Sequence, residues 1–275
     1  MEFTKNLAKV DSRLVPIDGK TVRGVASQFG DSPLHIVSAF CKNNMLTLCQ
    51  ETVNDKSNEI TAIPALIDLL DLKNCIVTID AMGCQKDIAE KIIEKGGGYI
   101  LQVKDNQKDL KEQIEKIFNR QKTKNENVEL DTGHGRIEKR ICKVIDDLTF
   151  LDGKQDWKGL KTIVLIQSEI YQKQTQKKSE SIRYYISSEE ANSKQLAQDI
   201  RGHWSIENNL HWNLDVIFKE DFQLKRKGNS SENFNMILKL GLGMLDAEKS
   251  KKRSKPIKRL IASIDDSYRE KLMGL

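Results

Sequence analysis

The sequence predicts an α/β fold, in which antiparallel strands open the chain and buried strands then alternate with helices. Residues 15–53 alternate in polarity and carry turn residues between their runs, as antiparallel strands do. The apolar runs near residues 75–83 and 99–106 are short, which indicates strands covered on both faces. Segments with the helical period lie between and after these runs, so a sheet flanked by helices is the expected architecture.

The opening strands are predicted from alternation and turn chemistry. The segment VPIDGKTVRG (15–24) is typical of a strand with Asp18 near its middle, and its glycines, including Gly24, allow bends or bulges. Residues 34–53 contain two β-like runs with turn residues at 42–44 between them. Three antiparallel strands are therefore expected at the start of the domain.

The next elements alternate between helix and strand. Residues 60–72, 85–98 and 107–121 follow the helical period, and the second of these segments ends in three glycines. The apolar run at 75–83 contains a carboxylate, Asp80, at the strand end where open α/β sheets bind ligands. Because the glycines end a helix rather than follow a strand, a dinucleotide-binding fingerprint is excluded.

The composition changes after residue 121. Residues 122–190 hold polar runs between β-like segments, which indicates a β-rich insertion. Helices are predicted from residue 193 onward and again at 232–250. We expect a single domain over residues 1–275, since this length suffices for one large core.

The overall composition and charge of the sequence indicate a soluble, cytoplasmic protein. The formal net charge of +5 permits nucleic-acid binding without requiring it. No apolar run is long enough for a membrane span, and the N-terminal residues lack the apolar core of a signal peptide. The five cysteines form no C-x-x-C pair, so neither a disulfide framework nor a zinc knuckle is indicated.

The most unusual segment is RGHWSIENNLHWNLDVIFKED, residues 201–221. It holds two of the three tryptophans and two of the four histidines around one carboxylate, Glu207. At the helical period His203, Glu207 and His211 form one row. An amphipathic helix with Trp204 and the aliphatic residues in the core explains the apolar positions, but it leaves Glu207 and its polar neighbours without a role.

Asp18, Asp80 and Glu207 are candidate metal ligands from three separate elements. Carboxylates and water are the natural ligands of Mg²⁺ and Mn²⁺. Three converging acids can hold two such ions about 3.5–4 Å apart, an arrangement that serves phosphodiester chemistry. A zinc site on His203, Glu207 and His211 is an alternative, although the H-E-x-x-H arrangement is absent.

Several segments carry a resemblance to a known family: VPIDGKTVRG, IVTIDAMGCQ, LQVKDNQ, GHGRIEKR and RGHWSIENNLHWNLDVIFKED. They resemble insertion-sequence DDE transposases, specifically the H-repeat-associated subgroup related to the IS4-type enzymes. The resemblance covers nearly the whole chain, and the last segment is its most specific motif. It implies an RNase H-like catalytic core with a β-rich insertion before the final glutamate.

The resemblance also implies an activity and a site. The activity is metal-dependent cleavage of transposon ends and strand transfer into target DNA, with Asp18, Asp80 and Glu207 as the catalytic triad. The implied cofactor is Mg²⁺ or Mn²⁺, as two ions. The implied partners are double-stranded DNA and a second copy of the chain in a homodimer. The choice of these three acids over Asp215 or Asp221 rests on the resemblance.

Basic, aromatic and amide side chains near the motifs are candidate DNA contacts. Cations hold phosphates without reading the base sequence, and aromatic rings stack on exposed bases. The candidates are Lys20, Arg23, His134, Arg136, Arg201, His203, Trp204, Asn208, His211, Lys225 and Arg226. Trp204 and Trp212 are also candidates for the core, and we expect at least one of them to pack there.

Two departures from the family pattern keep other functions open. Where many IS4-type enzymes carry Tyr, Arg and Lys around the glutamate, this chain has Ile200, His203 and Leu214. Only 17 residues precede Asp18, so the usual N-terminal region of the family is expected to be missing. The alternatives are an RNase H-like nuclease without strand transfer and a shortened, inactive remnant that only binds DNA.

Overall fold

The computed structural model describes residues 13–26, 33–53, 59–123, 125–133, 135–223 and 229–274. The chain divides into two compact units. The first unit comprises Met1–Leu70 and His203–Leu275, and the second comprises Asp71–Gly202. The predicted single domain with an insertion at 122–190 stays a prediction.

The helices and strands alternate along much of the chain. In chain order, the described elements of the first half are β1 (Leu14–Ala26), β2 (Pro33–Cys41), β3 (Leu46–Val53), α1 (Glu59–Leu69), β4 (Ile76–Ile79), α2 (Lys86–Glu94), β5 (Gly98–Val103), α3 (Lys108–Arg120), β6 (Glu126–Gly133) and β7 (Arg136–Ile145). Those of the second half are β8 (Thr162–Gln172), β9 (Lys178–Ser187), α4 (Ser193–His203), a π-helical segment (Ile206–His211), α5 (Trp212–Val216), α6 (Ser230–Ala247), α7 (Lys255–Ile264) and α8 (Asp266–Met273). The predicted helices and strands are confirmed to within a few residues, whereas β6, α7 and α8 are additions.

The sheet of the first unit is an antiparallel meander in the order β3-β2-β1. Asp18 on β1 pairs with Ser38 on β2. The register shifts between Val22 and Ala26, around Gly24, which confirms the predicted irregularity. The predicted turn at 42–44 between two strands is also confirmed.

The core of the first unit forms where the chain after His203 packs against α6 and β2. Aliphatic side chains recur every three or four residues there, so they share one face of the helical segments. The buried members of this cluster are Phe40, Ile206, Leu210, Leu214, Ile217, Phe218, Leu238, Leu242 and Leu245. This core fixes the face of the segment that carries Glu207.

The sheet of the second unit is mixed and runs in the order β4-β5-β9-β8-β7-β6. Strands β4 and β5 are parallel, and the remaining neighbours are antiparallel. Every residue of β4 is buried, as expected for a strand with cover on both faces. Helix α2 ends where Gly96 adopts a positive φ of 76°, which confirms the predicted glycine stop.

The segment after α4 corrects one prediction about the core. Trp204 is 39% exposed and Trp212 is 56% exposed, so neither tryptophan packs in the core. Each lies two positions from a buried aliphatic residue, Ile206 or Leu210, and two helical positions separate opposite faces. The aliphatic residues alone fill the buried face.

In the described ranges, no helix combines the length and apolarity that crossing a membrane requires.

Candidate active site

Asp18 lies near the middle of β1 and keeps part of its surface in solvent. Its side chain is 17% exposed, and its Oδ2 lies 3.5 Å from Nδ1 of His211. Since His211 ends the π-helical segment in which Glu207 is the second residue, Asp18 contacts the segment that carries Glu207. The first unit therefore brings two of the predicted acids onto neighbouring parts of the fold.

Glu207 occupies an irregular part of the helix. The N–H of Trp212 donates to the carbonyl oxygen of Glu207, five residues earlier, which is the hydrogen-bond pattern of a π-helix. Glu207 is exposed, as is Asn208 beside it. This local widening alters the i, i+4 row predicted for His203, Glu207 and His211. Single π-turns within α-helices are frequent at functional sites.

His211 is a neutral, buried imidazole. Burial, followed by the charges of Lys239 and Lys20, lowers the pKa of His211 to about 3. Within the described chain its Nε2 atom has no hydrogen-bond partner. The contact between His211 and Asp18 therefore joins an uncharged ring to a carboxylate and adds no positive charge beside the acid.

Lys239 on α6 is buried and contacts side chains of β2 and β3. Its Nζ donates to Oγ of Ser38 at 2.7 Å and to Oε1 of Gln50 at 2.9 Å. Ser38 is the residue that pairs with Asp18 across the sheet. Burial lowers the pKa of Lys239 to about 7, because an ammonium ion loses its hydration there.

Lys20 is surrounded by carboxylates. Its Nζ lies 2.7 Å from Oδ1 of Asp215, 2.8 Å from Oε2 of Glu220 and 3.6 Å from Oδ1 of Asp221. Burial lowers the pKa of Lys20, but the attraction of Glu220 and Asp215 outweighs it, so the net shift is upward. Lys20 is therefore charged and already paired within the protein.

The opposite face of β1 is closely packed against buried polar groups. Nε2 of His35 lies 2.5 Å from Oε1 of Glu59, and Nδ1 of His35 lies 2.9 Å from Oγ1 of Thr21. A Cβ atom at Gly19 would lie 2.5 Å from both the Glu59 oxygen and the His35 nitrogen. Gly19 is thus required for this close approach beside Asp18. The His35–Glu59 pair is not predicted from the sequence, because 24 positions separate the two residues.

Asp80, in the second unit, follows β4 directly. Its Oδ1 accepts a hydrogen bond from the N–H of Met82 at 3.0 Å and so caps the short 3₁₀ turn Ala81–Gly83. Asn106, which follows the parallel strand β5, donates from Nδ2 to the carbonyl oxygen of Ala81 at 2.7 Å. Side chains from two neighbouring parallel strand ends thereby fix the turn after Asp80. Asn106 was not among the predicted site residues, although it lies in the quoted segment LQVKDNQ.

Comparison with known proteins decides the family. Residues 9–243 match the family described as the transposase DDE domain. The chain belongs to this family. It is 41% identical over 274 residues to YncI of Escherichia coli O157:H7, a protein named as a transposase, with 96% of this chain and 70% of YncI covered. It is 38% identical over 268 residues to YhhI of Escherichia coli strain K12, named as an H repeat-associated transposase, with 94% and 70% covered. The predicted subgroup is thus confirmed.

A solved structure shows the same fold. The chain is similar to a piggyBac transposase in a synaptic complex with hairpin DNA, with a TM-score of 0.52 and 11% sequence identity. The alignment covers 97% of this chain and 55% of the piggyBac chain. The likeness is one of fold, and it confirms the predicted RNase H-like α/β class.

A metal site on the predicted triad of this DDE-domain chain stays a prediction. In the part of the chain that the structure describes, no group of three or more His, Cys, Asp or Glu side chains could hold a metal ion. The donors themselves suit the expected ion, since Asp18, Asp80 and Glu207 offer carboxylate oxygens, which hard divalent cations prefer. The proposed ligand set therefore fits Mg²⁺ or Mn²⁺ by its chemistry.

The residues predicted to contact DNA differ in how many ion pairs and hydrogen bonds they already make within the protein. Arg201 lies 2.9 Å from Asp131 and 3.7 Å from Glu129, both on β6. Arg136 is exposed and lies 3.5 Å from Glu138. The backbone N–H of Arg23 donates to Asp221, while its side chain is exposed. The other predicted contacts with a described position are Lys20, whose carboxylate partners are given above, and His203, Trp204, Asn208 and His211. His134, Lys225 and Arg226 lie outside the described residues.

Several cations near the C-terminus serve the fold of the first unit. Lys258 is buried and donates to the carbonyl oxygens of Leu245 and Glu248, which end α6. Lys255 lies 2.9 Å from Asp246. The guanidinium of Arg259 lies over the Phe218 ring, 4.9 Å from its centroid. These three cations bind helix-end carbonyls, a carboxylate and an aromatic ring within the protein, and they also contribute to the net charge.

Proposed function

We propose that this chain is a transposase that cleaves DNA at the ends of a mobile element and joins those ends to a target duplex. Asp18, Asp80 and Glu207 are the proposed catalytic carboxylates, and Mg²⁺ or Mn²⁺ is the proposed cofactor. The family match supports the proposal because it spans all three positions. The observation that carries it is the contact of Asp18 with His211 in the same π-helical segment as Glu207.

The surroundings of the other acids support this choice of ligands. Asp215 and Glu220 lie within 2.8 Å of the Lys20 ammonium. Asp221 also accepts the N–H of Arg23 at 3.0 Å. A divalent cation could bind these acids only by displacing the Lys20 ammonium, whose positive charge repels it. Asp18 instead lies 3.5 Å from the His211 ring, in the segment that carries Glu207.

In the proposed reaction the chain's own residues bind the metal ions and hold the carboxylate ligands in place. When bound, two divalent ions activate the attacking oxygen and stabilise the leaving oxygen. Asp18 and Glu207 would supply oxygen ligands, and the His211 ring would limit the rotation of the Asp18 carboxylate. Asp80 would supply a further oxygen, held by its hydrogen bond from Met82.

DNA is the proposed substrate and partner. The piggyBac transposase of similar fold is in a complex with hairpin DNA, and we carry over only the class of partner. A homodimer is the proposed active assembly. Exposed Trp204, Trp212 and Asn208 are the proposed contacts to DNA near the cleaved strand, since aromatic rings stack on bases.

The test is a cleavage and joining assay with the purified chain. Labelled duplexes that carry the DNA flanking the gene are incubated with Mg²⁺ or Mn²⁺ and a target plasmid. We expect cleaved ends and joined products. Asp80→Asn should reduce both at least about 100-fold while DNA affinity and folding are kept. The matched control is Asp156→Asn, an exposed aspartate paired with Lys86, which should retain activity.

The other outcomes identify the alternatives. Cleavage without joined products would contradict the transposase and indicate a nuclease. DNA binding without cleavage by the wild-type chain would indicate an inactive remnant. Full activity of Asp80→Asn would remove Asp80 from the proposed site.

A further inference from the structure

We infer that Lys20 is a positioning residue that ties β1 to the chain following Glu207, and thereby holds Asp18 and Glu207 in one arrangement. The inference rests on the proposed function, because it assigns Lys20 a role in that site. It replaces the phosphate contact predicted for Lys20 from the sequence. The observation behind it is the ring of carboxylates around the Lys20 ammonium within the first unit.

Lys20 is an internal partner for three acids. Its side chain is 10% exposed, and its Nζ lies within 2.8 Å of both Asp215 and Glu220. Asp221 lies 3.6 Å away. One ammonium among three carboxylates leaves a net negative surrounding, which repels a DNA phosphate. Lys20 is therefore suited to holding protein segments rather than to binding the DNA backbone.

The spacing of two contacts on β1 fixes the position of the helical segment after Glu207 along this strand. Asp18 and Lys20 are two residues apart on β1 and so point to the same face. They contact His211 and Asp215, which are one helical turn apart. Two strand residues span about 6.6 Å, and four helical residues rise about 6 Å. Because these spans nearly match, the paired contacts prevent the segment after Glu207 from sliding along β1.

The carboxylates around Lys20 are themselves held by other elements. Glu220 is buried and accepts a hydrogen bond from Nδ2 of Asn235 on α6. Asp221 accepts the backbone N–H of Arg23 on β1. Lys20 thus joins β1 to a network that includes α6 and the 3₁₀ turn Glu220–Phe222. Loss of the ammonium would leave three carboxylates that repel one another.

The first test measures segment order and metal binding in Lys20→Met. Hydrogen exchange is followed over residues 206–222, and Mn²⁺ binding is followed by electron paramagnetic resonance. We expect exchange at least about tenfold faster in that segment and a Mn²⁺ affinity about 10–100-fold weaker. Lys20→Arg keeps the charge and should restore part of both. The matched control is Lys86→Met, which breaks an exposed Lys–Asp pair of the same 2.7 Å distance and should change neither.

A second variant separates positioning from loss of the fold. In Lys20→Met/Glu220→Gln one uncompensated carboxylate is removed, so the variant is expected to fold more stably than Lys20→Met. Its Mn²⁺ affinity should still fall, and cleavage should require correspondingly more metal. Wild-type exchange and wild-type Mn²⁺ affinity in this variant would overturn the inference.

The proposed function and this inference fail in different ways. If Asp18→Asn leaves Mn²⁺ binding unchanged and the wild type does not cleave DNA, the proposed metal site fails. If wild type cleaves DNA and Asp18→Asn does not, but Lys20→Met keeps its metal dependence and its exchange rates, only the role of Lys20 fails.

Discussion

Strand β1 of the first unit and strand β4 of the second unit each lead to a predicted catalytic aspartate, but their surroundings differ in kind. Asp80 follows four buried residues and caps the next turn through a residue two positions away. Asp18 lies on a strand whose polar neighbours come from distant parts of the chain, such as Glu220, 200 positions from Lys20. The hydrogen bond that Asp80 accepts from Met82 is local, whereas the contacts around Asp18 join distant parts of the chain.

This difference predicts which substitutions should disturb the surroundings of each aspartate. A local cap forms as soon as its turn forms, so few substitutions elsewhere can remove it. A network of buried charges requires every partner to be in place, because an unpaired buried charge is costly. The first unit should therefore be the more sensitive to changes around its aspartate.

The largest expected effect is that of Gly19→Ala. The added Cβ would lie 2.5 Å from buried His35 and Glu59, so the pair must move apart. We expect a loss of about 3 kcal/mol in the free energy of unfolding, measured with urea. The control in the second unit is Gly133→Ala, where a Cβ atom would meet no described atom within 4 Å. Equal effects of the two substitutions would contradict the comparison.

The next effect is a dependence on pH from Lys239. Its pKa is lowered to about 7 by burial, whereas an unfolded lysine titrates near 10.4. Between about pH 7 and about pH 10.4 the unfolded chain binds more protons at this position, so stability rises with pH by about 1.4 kcal/mol per unit.

The variant Lys239→Met should remove this contribution. Urea unfolding of wild type and variant at several pH values between about 7.5 and about 9.5 measures the difference. Lys86→Met, at an exposed pair, should show no such difference in slope. A Lys239→Met variant whose stability follows pH as wild type does would show that Lys239 keeps an ordinary pKa.

A smaller effect tests the local cap at Asp80. Replacing Asp80 by alanine removes the acceptor for the Met82 N–H and should cost about 1 kcal/mol. Asp80→Asn keeps a capping oxygen and should leave the free energy of unfolding nearly unchanged. A large loss for both variants would mean that Asp80 also depends on long-range partners.

The smallest effect is expected for Arg201→Met. Arg201 is half exposed and pairs with Asp131 and Glu129 across the surface of the second unit. We expect a loss of about 0.5 kcal/mol, which should decrease as salt is added. A loss above about 2 kcal/mol would show that long-range ion pairs matter as much in this unit as around Lys20.

Much of the fold is predictable because local patterns encode it. The apolar run of β4, the glycines after α2 and the turn between β2 and β3 are each visible in a few consecutive residues. Strand β6 is missed because it is polar and because its apolar residues, Val128 and Leu130, are exposed. Its place at the end of the sheet depends on pairing with β7, which no local pattern shows.

The candidate site is predictable in part for the same reason. Motif residues such as Asp18 and Glu207 are recognised in the sequence, and the family is confirmed by comparison. The prediction that Trp204 or Trp212 packs in the core is wrong, since aliphatic residues fill the buried face. A large aromatic side chain favours burial, but the face on which it lies is decided by the surrounding core.

The sequence by itself indicated the family, most of the helices and strands, and the acids proposed for the chemistry. Only the tertiary structure decided that Lys20 pairs with Asp215 and Glu220, and that His211 is a neutral neighbour of Asp18. Ion pairing and burial depend on distances between side chains. Residues 200 positions apart approach one another only when the chain has folded, so their charges acquire these roles in the folded state alone.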